Sequence, residues 1–204
     1  MHISEGVLTA PILVTGAVTA VSGVAVGLKS MKDCQIPKVA IVTAALFVAA
    51  LIHVPLGPTS VHLVLNGIAG IILGWQVFPA FLVALVLQLL LFQFGGLTVL
   101  GVNVVLMATP AIICYYLFKS VFNLSRQQDS TYLLGGAAFI CGGLAIVIST
   151  LIMAGVLMLA EDSFLQLARV IIVSHLPVLV IEAVLSMLVV VFLLRVKPQL
   201  LEEF

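Results

Sequence analysis

The chain has 204 residues, 63% of them hydrophobic and 8% charged, with a formal net charge of zero and a mean hydropathy of +1.37. A soluble domain carries about a quarter charged residues, so a water-exposed globule is excluded. Zero net charge leaves no electrostatic footprint for nucleic acid. Apolar runs recur that match the roughly 20 residues a helix needs to cross a bilayer, and they lack the alternation of a transmembrane barrel.

The chain opens Met1-His2-Ile3-Ser4-Glu5-Gly6 with no basic stretch, so no cleavable signal peptide is expected. Seven apolar segments follow, at Val7–Leu28, Lys38–His53, Ser60–Gly74, Val77–Gln93, Gly101–Phe122, Thr131–Ala160 and Phe164–Leu194. They predict an all-α polytopic membrane protein of about seven transmembrane helices, one transmembrane domain over residues 1–204. The second and third segments are short, and the breaker-rich Val54-Pro55-Leu56-Gly57-Pro58-Thr59 between them reads as an irregular turn packed inside the protein. The Gly95-Gly96 connection allows backbone shapes and close approaches closed to other residues. The seventh segment is too long for one span; counting back about 20 residues from Arg195 reaches His175.

Basic residues set the expected orientation. Lys29, Lys32 and Lys38 follow the first segment, Lys119 and Arg126 the fifth, and Arg195 and Lys197 the seventh. With seven spans these places share one side, and only Arg169 falls elsewhere. The positive-inside rule puts that side and the C-terminus in the cytoplasm, with Met1 outside. The N-terminus, the turn before His62, the Gly-Gly loop before Asn103, the Glu161-Asp162 turn and His175 then gather at the outer face.

Several residues there are candidates for chemistry. A free α-amine, a backbone amide and the imidazole of His2 form a chelate of nitrogens, of the tetragonal kind that suits Ni(II) and Cu(II). Taken alone, His2 reads more readily as an amphipathic terminus in the headgroup region. His62 is the best fourth nitrogen and is expected on one helix face with Asn66, which with Ser60 would steady the ring; the alternative is a histidine bonded between helices for packing. His53 reads as interfacial. Asn103 is a site wall or glue between helices, and Gln88 reads mainly as structural. Glu182 is protonated, paired with His175 or an outer support of the site. Met107, the other methionines, Cys114 and Cys141 read as packing. Gly67, Gly70 and Gly74, with Ala40, Ala44, Ala45 and Ala49, make small-residue faces for helix association. No phosphate-binding loop, H-E-x-x-H or G-x-S-x-G motif occurs, so the chain itself is expected neither to use ATP nor to be a protease or hydrolase.

Met1-His2-Ile3 with Glu5-Gly6, Ser60-Val61-His62 with Asn66-Gly67, Gly95-Gly96-Leu97-Thr98 with Asn103, His175-x-Pro177 with Glu182, and Arg195-x-x-Pro198 together resemble the NikM/CbiM family, the membrane-embedded substrate-binding component of nickel/cobalt energy-coupling-factor transporters. The resemblance covers nearly the whole chain. It implies a transported Ni(II) or Co(II) ion, with no cofactor, held by the amine of Met1, the amide and imidazole of His2, and the imidazole of His62. It also implies a cytoplasmic ATPase pair, a transmembrane coupling subunit, a small accessory membrane subunit and a multi-pass place in the cell (inner) membrane. Two other readings compete: a membrane-embedded metal-dependent enzyme using His53, His62 and His175, and a stand-alone metal channel or carrier. Nickel and cobalt both accept nitrogen donors.

Overall fold

In hydrocarbon every backbone N–H and C=O must find its partner within the segment, so continuously apolar stretches become helices. The computed structural model describes residues 2–51, 53–56, 59–125, 131–160 and 165–202. Helices α1 (Ala10–Ser30), α2 (Ile36–Ala49), α3 (Asn66–Leu73), α4 (Val77–Phe92), α5 (Leu100–Ser125), α6 (Thr131–Ala160), α7 (Leu165–Ser174), α8 (Leu176–Val196) and α9 (Gln199–Glu202) carry the fold. Pro11, Pro37 and Pro177 stand in the first turns of α1, α2 and α8, where a missing N–H removes no helical bond. The all-α polytopic expectation holds, with one small addition. Strands β1 (His2–Ile3), β2 (His53–Leu56) and β3 (Thr59–His62) form an antiparallel sheet in the order β1-β3-β2.

Among the described residues, five helical stretches are long and apolar enough to cross a membrane: Ala10–Ser30, Asn66–Phe92, Leu100–Leu124, Thr131–Ala160 and Arg169–Val196. The second is not one rod. Its middle, a 3-10 turn at Gly74–Gln76, begins on Gly74 at φ 54°, and Trp75 donates to the Tyr116 hydroxyl. Tyr116 lies 13 residues along α5 from Asn103, about 20 Å of helix, whereas His2 is bonded to Gln88 near the end of α4 and lies against His62, four residues before the start of α3. The chain therefore goes down α3, reverses at Gly74 and returns up α4, as two segments.

Two sequence expectations need correction. The third segment is not helical from Ser60: Thr59–His62 is a strand, and helix starts only at Asn66 after Leu65 at φ 55°. Pairing with β1 and β2 on both sides holds residues 59–62 extended, so His62 and Asn66 do not share a helix face. The seventh segment is broken at His175 into α7 and α8, because Pro177 cannot donate back along the helix.

Helix α3 is the buried axis and packs against α5, α6 and α8. Small residues permit this. A Cβ on Gly67 would stand 2.7 Å from the Gly142 Cα, and one on Gly70 would overlap the Ala111 backbone carbonyl. Cys114 and Cys141 face each other across α5 and α6, each thiol directed at the other's carbonyl, and Met107 is core.

Candidate metal site

The N-terminal strand is held from two sides. In the sheet His2 stands opposite Ser60 and Ile3 opposite Thr59, while His53 stands opposite His62 on the other edge of β3. On its free side, Ile3 donates its N–H to the Asn103 Oδ1 at 2.9 Å and accepts from the Asn103 Nδ2 at 3.1 Å. A side-chain amide from α5 thus acts as a further strand partner. The next residues are strapped to the Gly-Gly-Leu-Thr loop: Glu5 donates its N–H to the Gly95 carbonyl, and its carboxylate accepts from the N–H and hydroxyl of Thr98. Gly95 sits at φ 77°, and a Cβ on Gly96 would overlap the Glu5 carboxylate, so the loop closes on the strand only with glycines there.

These supports bury two imidazoles side by side. The rings of His2 and His62 have centroids 4.7 Å apart, both are 4% exposed, and Phe94 covers the His2 ring. The Nε2 of His2 lies 2.6 Å from the Gln88 Oε1 on α4, and the Nδ1 of His62 lies 2.6 Å from the Leu63 carbonyl oxygen. Both oxygens can only accept, so these far nitrogens carry the protons. The near nitrogens, His2 Nδ1 and His62 Nε2, then turn lone pairs towards one another at 3.1 Å. Burial holds the His62 imidazole down to about 4, against the pull of the Leu63 carbonyl, and His175 adds a smaller push downward. His62 is therefore neutral at physiological pH, the form that ligates a metal.

The remaining candidates divide. Met1 and the Glu161-Asp162 turn lie outside the described residues, as do the side chains of Ser60 and His53. Asn103 braces β1, as above. Asn66 does not touch the ring pair: its Nδ2 donates to the Ser149 Oγ at 2.8 Å, which donates to the Leu106 carbonyl. His175 is buried at the α7–α8 break with its Nδ1 on the Ile171 carbonyl at 2.7 Å. Glu182 does not pair with His175; its Oε1 accepts the N–H groups of Val64 and Leu65 at 2.6 and 2.8 Å. Gln88, read from sequence as structural, is the direct partner of His2. The signal was present: Gln88 is the one polar residue of α4, and a polar group inside a membrane helix is a site candidate by default.

Fold and site together define a polytopic membrane protein with a buried pair of histidines at the end of its bundle. Residues 2–200 match the family described as "Cobalt uptake substrate-specific transmembrane region" (CbiM), and the chain belongs to that family. It is thus a transmembrane component of cobalt or nickel uptake, a transport protein and not an enzyme. A "Putative metal transport protein" of Haemophilus influenzae is 46% identical over 205 residues, covering 100% of this chain and 98% of that one. A "Putative fused nickel transport protein NikMN" of Archaeoglobus fulgidus is 31% identical over 168 residues, covering 80% of this chain and 54% of that one. A crystal structure of a transition metal transporter shares the fold, with a TM-score of 0.69 at 22% identity, covering 99% of this chain and 97% of that one.

Proposed function

We propose that the chain captures Ni(II) or Co(II) through four nitrogens: the amine of Met1, the amide and Nδ1 of His2, and the Nε2 of His62. The geometry of the two rings carries this reading. The Nδ1 of His2 closes a six-membered chelate ring with its own amide nitrogen, and that amide closes a five-membered ring with the preceding amine. In a planar set this places the amine and Nδ1 on opposite sides of the amide and leaves one position, next to Nδ1. With metal–nitrogen bonds of about 2.0–2.1 Å, neighbouring donors stand about 2.9 Å apart and opposite donors about 4.1 Å. The observed 3.1 Å is the neighbouring spacing.

The chain then works as the substrate-specific component of an energy-coupling-factor importer, with its site at the outer face and its C-terminus in the cytoplasm. In this reading the energy comes from a partner ATPase pair, joined through a transmembrane coupling subunit, and the chain's lack of a phosphate-binding loop is consistent with that division. A small accessory membrane subunit completes the proposed assembly, and the fused NikMN relative supports a further transport component beside the chain. The decisive experiment is titration of Ni(II) against a competing chelator using protein with an unblocked Met1. An N-terminal tag, a single alanine inserted between Met1 and His2, and His2→Ala should each abolish tight binding, while a C-terminal tag leaves it unchanged. Parent-like affinity in the tagged protein would remove the amine from the donor set.

A further inference from the structure

Among the described residues Glu182 is the acidic side chain with no exposed surface, and burying a carboxylate in a membrane bundle is unfavourable. Its hydrogen bonds show what it does there. One oxygen, Oε1, takes two consecutive backbone N–H groups, of Val64 at 2.6 Å and Leu65 at 2.8 Å; the other, Oε2, has no hydrogen-bond partner among the described residues. The polar bonding of the carboxylate is thus directed at one short turn. That turn joins β3 to α3, and Leu65 within it sits at φ 55°, a left-handed conformation disfavoured for a leucine. A turn so shaped needs an outside hold, and α8 supplies it.

The same turn aims His62. The Leu63 carbonyl, one residue before the two captured amides, accepts the His62 Nδ1–H at 2.6 Å. That bond fixes both the tautomer and the ring plane, and it turns Nε2 towards His2. We propose that Glu182 is the positioning residue for His62: its carboxylate fixes the amides of Val64 and Leu65, they fix the Leu63 carbonyl, and the carbonyl holds the imidazole on the ion. Helix α8 thereby has a handle on the metal, since withdrawing Glu182 loosens the turn and frees His62 to rotate away. This rests on the reading of His62 as a donor.

A double-mutant cycle on the full chain tests it, with Ni(II) affinity read by chelator competition and the donor set by the visible absorption of the bound ion. His62→Ala should weaken binding and change the spectrum. Glu182→Ala should weaken binding about 10- to 100-fold, as removal of a ligand's outer partner does, and give bound Ni(II) the spectrum of the His62→Ala protein. The double variant should bind no more weakly than His62→Ala alone. Glu182→Gln, whose amide oxygen still accepts both N–H groups, should lose less than Glu182→Ala. Should Glu182→Ala not fold, Glu182→Asp carries the same cycle, because it keeps the carboxyl group but shortens its reach. Parent-like affinity in Glu182→Ala or Glu182→Asp, or losses that add in the double variant, would overturn the positioning role. If His62→Ala itself binds like the parent, the donor reading fails first and visibly so.

Discussion

Replacing Gln88 by leucine keeps the side-chain volume close while removing the acceptor that the His2 Nε2–H meets at 2.6 Å. Gln88 and His2 are 2% and 4% exposed, so bulk water does not take the vacant role. A buried donor left unsatisfied costs about 1–3 kcal/mol. The ring has one escape: it moves its proton to Nδ1, which then donates to the His62 Nε2 at 3.1 Å. That tautomer is content without metal and presents no lone pair at Nδ1, so the ion must reverse it to bind. Only the metal-free ring can take this escape, so the metal-bound form, which keeps the unpaired Nε2–H, loses ground to the metal-free one. Loss of an outer partner typically weakens metal binding about 10- to 100-fold, and about 1.4 kcal/mol per factor of ten puts this at about 1.4–2.8 kcal/mol. The two figures agree. Chelator competition with Ni(II) measures the change directly. Gln88→Glu offers a stronger acceptor and should bind at least as tightly as the parent. A Gln88→Leu protein within about twofold of the parent would refute the assignment of the His2 tautomer and the metal-binding role of Nδ1 that depends on it.

Asn103→Leu removes both bonds to Ile3, worth about 0.5–1.5 kcal/mol each, so Ni(II) binding should weaken and amide hydrogen exchange at Ile3 should accelerate. Gly70→Ala sets a Cβ into the Ala111 backbone, which cannot give way, and should lower stability by about 1–3 kcal/mol in a thermal melt in detergent; Gly136→Ala, where a Cβ meets nothing within 4 Å, is the neutral control. A reporter fused after Phe204 should read as cytoplasmic, and an external reading would overturn the orientation inferred from the basic residues.

The long helices were legible because lipid imposes a local rule. Val7–Leu28 became Ala10–Ser30, Gly101–Phe122 became Leu100–Ser125, and Thr131–Ala160 was found with the same limits. The small sheet was not legible, because its register joins His2 to Ser60, and no local pattern in a two-residue strand encodes a partner so far along the chain. The same non-local pairing turned the expected helical face of His62 and Asn66 into a strand end and a helix start. His2, His62 and Asn103 were visible as polar groups near breakers. The partners of Gln88 and Glu182 were not, since a polar residue in an apolar helix announces that it has a partner but not which one.

The light and heavy parts of the site divide along this line. His2 rides on a two-residue strand and His62 on the last residue of another, elements too small to hold a ring in place by themselves. Each is clamped instead by side chains on helices that pack through the bundle: Gln88 from α4, Asn103 from α5 and Glu182 from α8. A binding protein that only captured its ion would do better with donors fixed directly on those helices, where positions are most precise. An importer must also let go. Donors on short, separately clamped elements meet both demands, because hydrogen bonds between a helix and a loop are lost over an ångström or so of sliding, whereas the helices remain packed throughout. On the proposed reading, capture is strong because every clamp is closed at once, and release requires only that one helix withdraw its clamp.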